Sequence, residues 1–388
     1  MTPNPPAAAL IPGRESSFEW LRLGSALLVV LCHFAALYAS YFHAFDVDNA
    51  TLRTAPSAIT TTLTALYFQF HGAYVFFAIS GFVITRPWFI NAQAPAKLPF
   101  LGRRAFRLLP AATAAILVAA LFDFFHLEIR SIDVATLLLN LFYLNWLPPY
   151  VAPPILIVTW TLAVEWLFYL TAPFIANILL SQRRRVIVAL LLAMLLGVTL
   201  RTWTANAYAY PLYFAAGIAI AIKRSASGNL PSNARSGWLL AAGVLTILVA
   251  SLLYAWQAPI HWRPVQWAWR PFDTFVVIHL TGTIALLWWA SGPASSQGHA
   301  SKVLSALPAL TYSIYLWHLP ACLLVFAAMR NVALPVAQLP EMARLPVLLA
   351  AATLLTLALA TFSYLTTERP YFRWKQRQSL AKVSAGVD

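Results

Sequence analysis

Residues 346–366 read PVLLAAATLLTLALATFSYLT, a stretch of 21 residues without a single charged side chain. A run of about 20 apolar residues is long enough to cross the hydrocarbon core of a bilayer as a helix. Similar runs recur along the chain, because 61% of its 388 residues are hydrophobic and only 10% are charged. The runs are continuous and do not alternate at a period of two, which favours helices over a transmembrane barrel.

The sequence therefore predicts an all-α, polytopic integral membrane protein, a helical bundle with about ten transmembrane helices. The predicted spans are residues 18–42, 64–86, 108–125, 155–181, 186–203, 208–222, 237–256, 272–291, 304–327 and 346–366. Residues 132–147 are apolar enough for an interfacial helix or an eleventh span. A cleaved signal peptide is the alternative for the first span, but Arg22 and His33 would be unusual inside such a segment.

Three parts are expected from this pattern. Residues 1–17 are predicted to be a disordered tail, residues 18–374 a single membrane domain, and residues 375–388 a second tail. No internal repeat and no second, water-soluble domain is evident in the sequence.

The basic residues predict the orientation of the chain. The net charge is +14, and the 26 Lys and Arg residues cluster at the ends of the apolar runs. With ten spans, most of them fall on the side that also carries both termini and the loops at Arg103 and Arg184. Because cytoplasmic loops carry the basic excess, we expect both termini in the cytoplasm and the protein in the inner, cytoplasmic membrane. No basic patch carries interleaved exposed aromatics, so nucleic acid is not an expected partner.

The first span contains two ionisable residues, Arg22 and His33, and ionisable groups inside spans are candidates for function. Eleven residues of α-helix rotate the chain to within about 20° of three full turns, so both side chains share one face. A neutral imidazole has a pKa near operating pH and can take a proton from an attacking hydroxyl. A snorkelling arginine and a helix-packing histidine are the structural alternative.

The fourth span carries Glu165, the only acidic residue well inside any predicted span, with Thr161 and Tyr169 one turn away on the same face. A carboxylate there must pair with a cation, accept hydrogen bonds or be protonated. A purely structural polar clamp is the alternative. In the second span, the small pair Ser80-Gly81 would allow a helix or a ligand to approach closely.

Three arginines precede the third span. Arg103 and Arg107 are four residues apart and Arg104 and Arg107 three apart, so on a helix they form one basic edge suited to phosphate oxygens. Alternatively, the three arginines only anchor the chain in the membrane, as part of the excess of basic residues in cytoplasmic loops. Near the end of the chain, Tyr315 and His318 share a helical face, and His318 could equally be structural.

The order and spacing of these segments resemble the acyltransferase-3 family of membrane O-acyltransferases from about Phe18 to Trp374. Six segments are similar to family motifs in register: Leu21-Arg22 to His33, Gly72–Phe82, Arg103–Pro110, Trp160–Tyr169, Thr311–His318 and Glu368-Arg369-Pro370. The sequence departs from the family pattern in three places, where Glu19 and Tyr74 replace a common Asp and Thr161 replaces Ser. Tyr74 puts any acidic role in the second span in doubt.

The resemblance implies transfer of an acyl group, most simply acetyl, from acyl-CoA to a hydroxyl of a carbohydrate acceptor. By the same resemblance, His33, Glu165 and Arg22 are the expected catalytic residues, with His33 either a general base or an acyl relay. The donor site is expected at Arg103, Arg104 and Arg107. The residues expected to bind the acceptor are Ser80, Trp160, Thr161, Tyr169, Tyr315 and His318. Acyl-CoA is a donor substrate here, so no permanently bound cofactor is expected.

Two other classes of protein compete with this interpretation. A secondary transporter would usually show repeats and paired broken helices, which the sequence lacks. A glycosyltransferase acting on lipid-linked sugars would want acidic residues for a metal in an outer loop, and Asp46 and Asp48 are the only pair available. No His, Cys or carboxylate cluster has metal-ligand spacing, so no metal is expected.

The orientation can be tested by labelling single cysteines from outside the cell in a Cys32- and Cys322-free background. The basic excess predicts that an impermeant maleimide reaches a cysteine at position 50 but not one at position 97. Ready labelling at position 97 would contradict the predicted orientation.

Overall fold

The computed structural model describes residues 14–43, 45–46, 51–52, 58–124, 132–144, 152–182, 209–226, 237–257, 271–292, 307–332 and 335–384. These residues are helical apart from short connections and one two-residue antiparallel pair. In that pair, β1 (Phe45–Asp46) lies beside β2 (Thr51–Leu52), with Phe45 opposite Leu52.

Twelve α-helices are present among the described residues. They are α1 (Arg14–His43), α2 (Ala58–Tyr67), α3 (Gly72–Asn91), α4 (Lys97–Phe124), α5 (Val134–Leu141), α6 (Trp160–Ser181), α7 (Ala209–Ala226), α8 (Gly237–Gln257), α9 (Pro271–Ala290), α10 (Thr311–Val332), α11 (Glu341–Ser363) and α12 (Arg369–Ser384). Short 3₁₀ turns precede α3, α6, α10 and α11, and a π-helical turn, Tyr364–Glu368, joins α11 to α12.

Eight segments of the described chain are long and apolar enough to cross a membrane, and each overlaps a predicted span. They are Ser17–His43, Gly72–Asn91, Lys97–Leu121, Ile157–Ser181, Gly237–Tyr254, Phe272–Ala290, Leu307–Met329 and Glu341–Gln378. On α11, Leu354 is 69% exposed and Phe362 is 68% exposed, as expected for side chains that face lipid. The prediction of an all-α, multi-pass membrane bundle is confirmed.

The other predicted spans have different outcomes. The fifth, residues 186–203, lies outside the described residues. The sixth corresponds to α7, an 18-residue helix with Lys223 and Arg224 in its last turn, and it is not among the eight. The predicted interfacial segment 132–147 contains α5, whose eight residues rise only about 12 Å, too short to span the bilayer.

Two helix starts differ from the prediction. The second span begins at Gly72, after a 3₁₀ turn at Phe68–His71, and not at residue 64. The third begins at Lys97, so the three arginines lie within α4 and not in the loop that precedes it. Pro99 lies near the start of α4, and proline is compatible with the first turn of a helix because the N–H groups there have no intrahelical partner.

The chain folds as two compact units. Unit 1 comprises Met1–Glu19, Leu98–Ala163 and Gln297–Asp388, and unit 2 comprises Trp20–Lys97 and Val164–Ser296. Helix α6 therefore begins in unit 1 and continues in unit 2. The division was not predicted, and the predicted domain boundaries, including the tails, remain predictions.

In unit 2, helices α3 and α7 cross at two glycines. A Cβ on Gly81 would clash with the carbonyl oxygen of Phe214, and a Cβ on Gly217 would clash with the carbonyl oxygen of Ala78. Phe214 stacks on Phe77 beside this crossing, with ring centroids 5.1 Å apart. Small residues allow backbones to approach closely, which is how helices gain packing contacts within a bilayer.

A buried arginine caps the end of α9 in unit 2. Arg224 is only 5% exposed. Its Nε donates to Ser291 Oγ at 2.8 Å and its Nη2 donates to the Trp288 carbonyl at 2.7 Å. The last carbonyls of a helix lack intrahelical donors and carry partial negative charge, so a cation there satisfies both needs.

In unit 1, Asn140 fixes the segment that leads into α6. Its side-chain amide donates to the Pro153 carbonyl at 2.9 Å, and its Oδ1 accepts from the Ile155 backbone N–H at 2.9 Å. Asp133 caps the helix that carries Asn140 by accepting from the Thr136 N–H at 2.6 Å, and this bond lowers the pKa of Asp133. The start of α6 is therefore held by a side chain 20 residues earlier in the chain.

The glycine crossing predicts a specific sensitivity. Gly217→Ala should destabilise the protein by about 1–3 kcal/mol, because the added methyl group must displace backbone of α3. Gly24→Ala is the matched control, since a Cβ there meets nothing within 4 Å. Thermal unfolding in detergent measures both variants, and equal melting temperatures for the two would contradict the close crossing.

Candidate functional site

His33 lies in α1, half-buried, with one ring nitrogen committed to the backbone. Its Nδ1 is 3.0 Å from the carbonyl oxygen of Val29, one turn earlier. A carbonyl only accepts hydrogen bonds, so Nδ1 carries the proton of the neutral ring and the basic lone pair is on Nε2. The helix thus selects the tautomer in which Nε2 can accept a proton. Arg22 is also half-buried on α1, in the same unit as His33.

Glu165 is hydrogen-bonded by Ser80. The Ser80 hydroxyl donates to Glu165 Oε1 and joins α3 to α6 within unit 2. Ser80 is 4% exposed, and Glu165 is half-buried. The two residues are 85 positions apart in the chain, and the structure brings them together. Because a hydroxyl can donate to a carboxylate without neutralising it, Glu165 retains its capacity to balance a positive charge.

Tyr169 is buried one turn beyond Glu165 on α6. It is 4% exposed and packs against Trp166, with ring centroids 5.9 Å apart. Tyr74, which departs from the family pattern, is 1% exposed and packs 5.1 Å from the ring of Tyr213. The hydroxyl of Tyr213 in turn lies 2.8 Å from Nδ1 of His279. An aromatic side chain at position 74 therefore suits an aromatic environment that would not suit a carboxylate.

Thr161 and Tyr315 meet within unit 1. Thr161 Oγ1 and the Tyr315 hydroxyl are 2.8 Å apart. Both hydroxyls also reach the carbonyl oxygen of Val158, at 3.0 and 3.2 Å. The cluster joins the beginning of α6 to α10, and all three residues are buried. The sequence predicted both hydroxyls as acceptor-binding groups but did not predict that they bond to each other.

Trp160 and His318 complete the predicted set in unit 1. Trp160 is half-buried at the first position of α6, where its backbone N–H bonds to the Ile157 carbonyl. His318 has no exposed surface, and its Nδ1 lies 3.2 Å from the carbonyl oxygen of Ile314. Its ring centroid is 6.0 Å from that of Tyr315. These contacts are compatible with packing as well as with acceptor binding, and the roles stay predictions.

The three arginines of α4 have different environments. Arg103 is exposed, whereas Arg104 and Arg107 are half-buried. The guanidinium carbon of Arg104 lies 5.6 Å from the ring centroid of Phe100. That of Arg107 lies 5.7 Å from the ring centroid of Phe372 on α12. Aromatic faces attract guanidinium groups without using their N–H donors, so the fork of donors remains suited to an anion.

Sequence reasoning missed two nearly fully buried acidic residues close to span ends. Asp273 is 1% exposed in the first turn of α9, and Glu368 is 2% exposed at the end of the π-helical turn. Glu368 accepts a hydrogen bond from Ser313 Oγ at 2.5 Å. Its signal was visible, because it begins the Glu368-Arg369-Pro370 motif, but no role was attached to it. Among the described residues, no three His, Cys, Asp or Glu side chains are grouped so that they could hold a metal ion.

Residues 15–364 match the family described as acyltransferase domain, which is most of the chain. The chain belongs to the acyltransferase-3 family. No curated protein and no solved structure matches it. The membership identifies an acyltransferase that transfers groups other than aminoacyl groups, and it decides against the transporter and glycosyltransferase alternatives.

The Ser80–Glu165 pair generates a test of the carboxylate. Glu165→Gln keeps an oxygen that accepts from Ser80, so the protein should fold with a melting temperature close to that of the parent. If Glu165 balances charge during catalysis, turnover per folded molecule should fall while donor binding is preserved. Detergent melting curves together with initial rates measure both quantities. A lower melting temperature with unchanged turnover would make Glu165 a structural clamp.

Proposed function

We propose that this membrane acyltransferase moves an acyl group, in the simplest case acetyl, from acyl-CoA to a hydroxyl of a carbohydrate acceptor. Surface polysaccharides and their lipid-linked precursors are the acceptors we have in mind. The observation that carries the proposal is the arrangement of His33, whose Nδ1 is committed to the Val29 carbonyl. Because Nδ1 carries the proton, Nε2 is the basic nitrogen of the neutral imidazole, the one that can take a proton from a hydroxyl group.

In this proposal, Nε2 of His33 takes the proton as the acceptor oxygen attacks the thioester carbonyl. The tetrahedral intermediate then collapses, the C–S bond breaks, and the CoA sulfur leaves with the proton returned by the imidazolium. In the alternative order, Nε2 attacks the thioester carbonyl, the C–S bond breaks, and CoA leaves as the thiolate. The hydroxyl oxygen then attacks the acyl carbon, the C–N bond breaks, and the proton of the hydroxyl passes to the thiolate. Both orders yield the same ester and free CoA.

The two other polar groups expected at the reaction are Glu165 and Arg22. A carboxylate in the protein interior stabilises, by its charge, the imidazolium that forms when the histidine takes a proton. Unlike the carboxylate of a hydrolytic triad, Glu165 would not hold Nδ1, because that atom is committed to the Val29 carbonyl. Arg22 is suited to the negative charge that develops on the carbonyl oxygen. Ser80 supports the role of Glu165, because its hydroxyl fixes one of the carboxylate oxygens.

Recognition of the donor is assigned to Arg103, Arg104 and Arg107. The phosphates of CoA are the anionic part of the donor, and guanidinium forks match phosphate oxygens in pairs. Support comes from the position of the arginines on consecutive turns of α4 and from their location on the side predicted to be cytoplasmic. The residues assigned to the acceptor are those that the family resemblance implies, Trp160, Thr161, Tyr315 and His318 in unit 1 and Ser80 and Tyr169 in unit 2.

The proposal is tested by the release of free CoA thiol from acetyl-CoA in the presence of a cell-surface carbohydrate extract. His33→Ala should lower the rate by at least about 10²–10⁴-fold, the contribution of general base catalysis. Expression and membrane insertion should be unchanged. His43→Ala, at the end of the same helix, is the matched control and should keep the parent rate. If the His33→Ala protein keeps most of the parent activity, His33 is a packing residue and not the general base.

A further inference from the structure

The carboxylate of Glu368 is buried against α10. It is 2% exposed, and its partner Ser313 has no exposed surface. Ser313 Oγ donates to Glu368 Oε1 at 2.5 Å across 55 positions of the chain, within unit 1. A carboxylate loses its hydration on burial and needs hydrogen bonds and a counter-charge in return. One neutral hydroxyl supplies a hydrogen bond but no counter-charge.

A local feature of the sequence brings Glu368 to this position. Pro370 has no N–H, so it cannot donate to the carbonyl four residues earlier, and its ring crowds that carbonyl. The helix widens to a π-helical turn at Tyr364–Glu368, which ends two residues before the proline. The hydroxyls of Thr366 and Thr367 donate to the Phe362 and Ser363 carbonyls at 2.9 and 2.7 Å, as threonines within helices often do. π-helical turns inside α-helices occur frequently at functional sites.

A candidate counter-charge is Arg107, whose positive charge acts on the Glu368 carboxylate. One turn beyond Glu368, the ring of Phe372 contacts the same guanidinium. The buried Nε of Arg107 has no hydrogen-bond partner among the described residues. The contact with Phe372 and the attraction of the Glu368 carboxylate both act on the guanidinium, and its buried Nε–H is a donor that the described residues do not use.

We infer that Glu368 is a positioning residue that orients the Arg107 guanidinium for a phosphate group of the acyl donor. The inference rests on the proposed function, because it assumes that Arg107 belongs to the donor site. Bidentate recognition of phosphate depends on the direction of the guanidinium fork as well as on its charge. The segment Glu368–Phe372 fixes that direction from α12, and Ser313 fixes Glu368 from α10.

The experiment is equilibrium binding of radiolabelled acetyl-CoA to the purified full-length protein in nanodiscs. Arg107→Ala should weaken binding about 10–150-fold, as for the loss of a charge-assisted hydrogen bond, and Arg107→Lys should restore it only partly. Glu368→Gln keeps the shape and the hydrogen bond from Ser313 but removes the charge, and it should weaken binding about 3–30-fold. Glu341→Gln, the same change at the start of α11, is the matched control and should bind like the parent.

A double-mutant cycle separates positioning from a merely structural role. In the Arg107→Ala background, Glu368→Gln should cause less than about a twofold further loss, because its target is already absent. The donor KM of Glu368→Gln should rise while its kcat and the acceptor KM stay near the parent values. An equal loss in both backgrounds would overturn the positioning role. If Glu368→Gln does not accumulate, Glu368→Asp keeps the charge but shortens its reach, and it should give a smaller loss that also vanishes without Arg107.

The outcomes also separate the positioning role of Glu368 from the proposed donor site on which it rests. Weaker binding for Arg107→Ala together with parent-like binding for Glu368→Gln would overturn the positioning role and leave the donor site in place. Parent-like binding for both would remove the donor site from α4, and the positioning role with it.

Discussion

Every polar group within the apolar helices of this protein has to find its partner inside the protein, because the hydrocarbon core offers none. The backbone meets this requirement by forming helices. Some of the described side chains meet it through contacts between helices, such as Ser80 with Glu165 and Ser313 with Glu368. These contacts join segments far apart in the sequence, so they fix which helix faces are adjacent within each unit.

The same requirement explains why so much of the candidate chemistry is coupled to structure. Val29 selects the tautomer of His33, and the Val158 carbonyl gathers the hydroxyls of Thr161 and Tyr315. A polar group that is already oriented by the protein has less freedom to lose when it binds a substrate or a transition state. In this bundle the same hydrogen bonds therefore satisfy buried polar groups and orient the side chains of the candidate site.

Much of the fold could be predicted from the sequence, because long apolar runs have few alternatives in a membrane protein. The alignment of Arg22 and His33 on one face was also predictable, since it depends only on the helical period. The start of α4 was not, because Pro99 is a helix breaker in one context and a good first-turn residue in another. The partners of Glu165 and Glu368 were out of reach, since periodicity carries no information on contacts 85 or 55 residues apart. The family motifs indicated which residues matter and left their pairing open.

The Glu368-Arg369-Pro370 motif begins within a change in backbone geometry, the π-helical turn, and contains a candidate functional group, the Glu368 carboxylate. Pro370 lies two residues beyond the turn, and Glu368, the last residue of the turn, accepts a hydrogen bond from Ser313 of α10. The turn and this hydrogen bond are features of the fold and do not depend on the substrate. What depends on the substrate is the use made of Arg107.

The most direct test of the account is to follow the acyl group itself. The purified protein would be incubated with acetyl-CoA labelled in the acetyl group and with a carbohydrate extract, and the label recovered in the carbohydrate would be measured before and after mild alkali. An O-acyltransferase predicts label in the carbohydrate that alkali releases as acetate, in amounts equal to the free CoA formed. Free CoA with all of the label in acetate and none in carbohydrate, or no consumption of acetyl-CoA at all, would contradict the account.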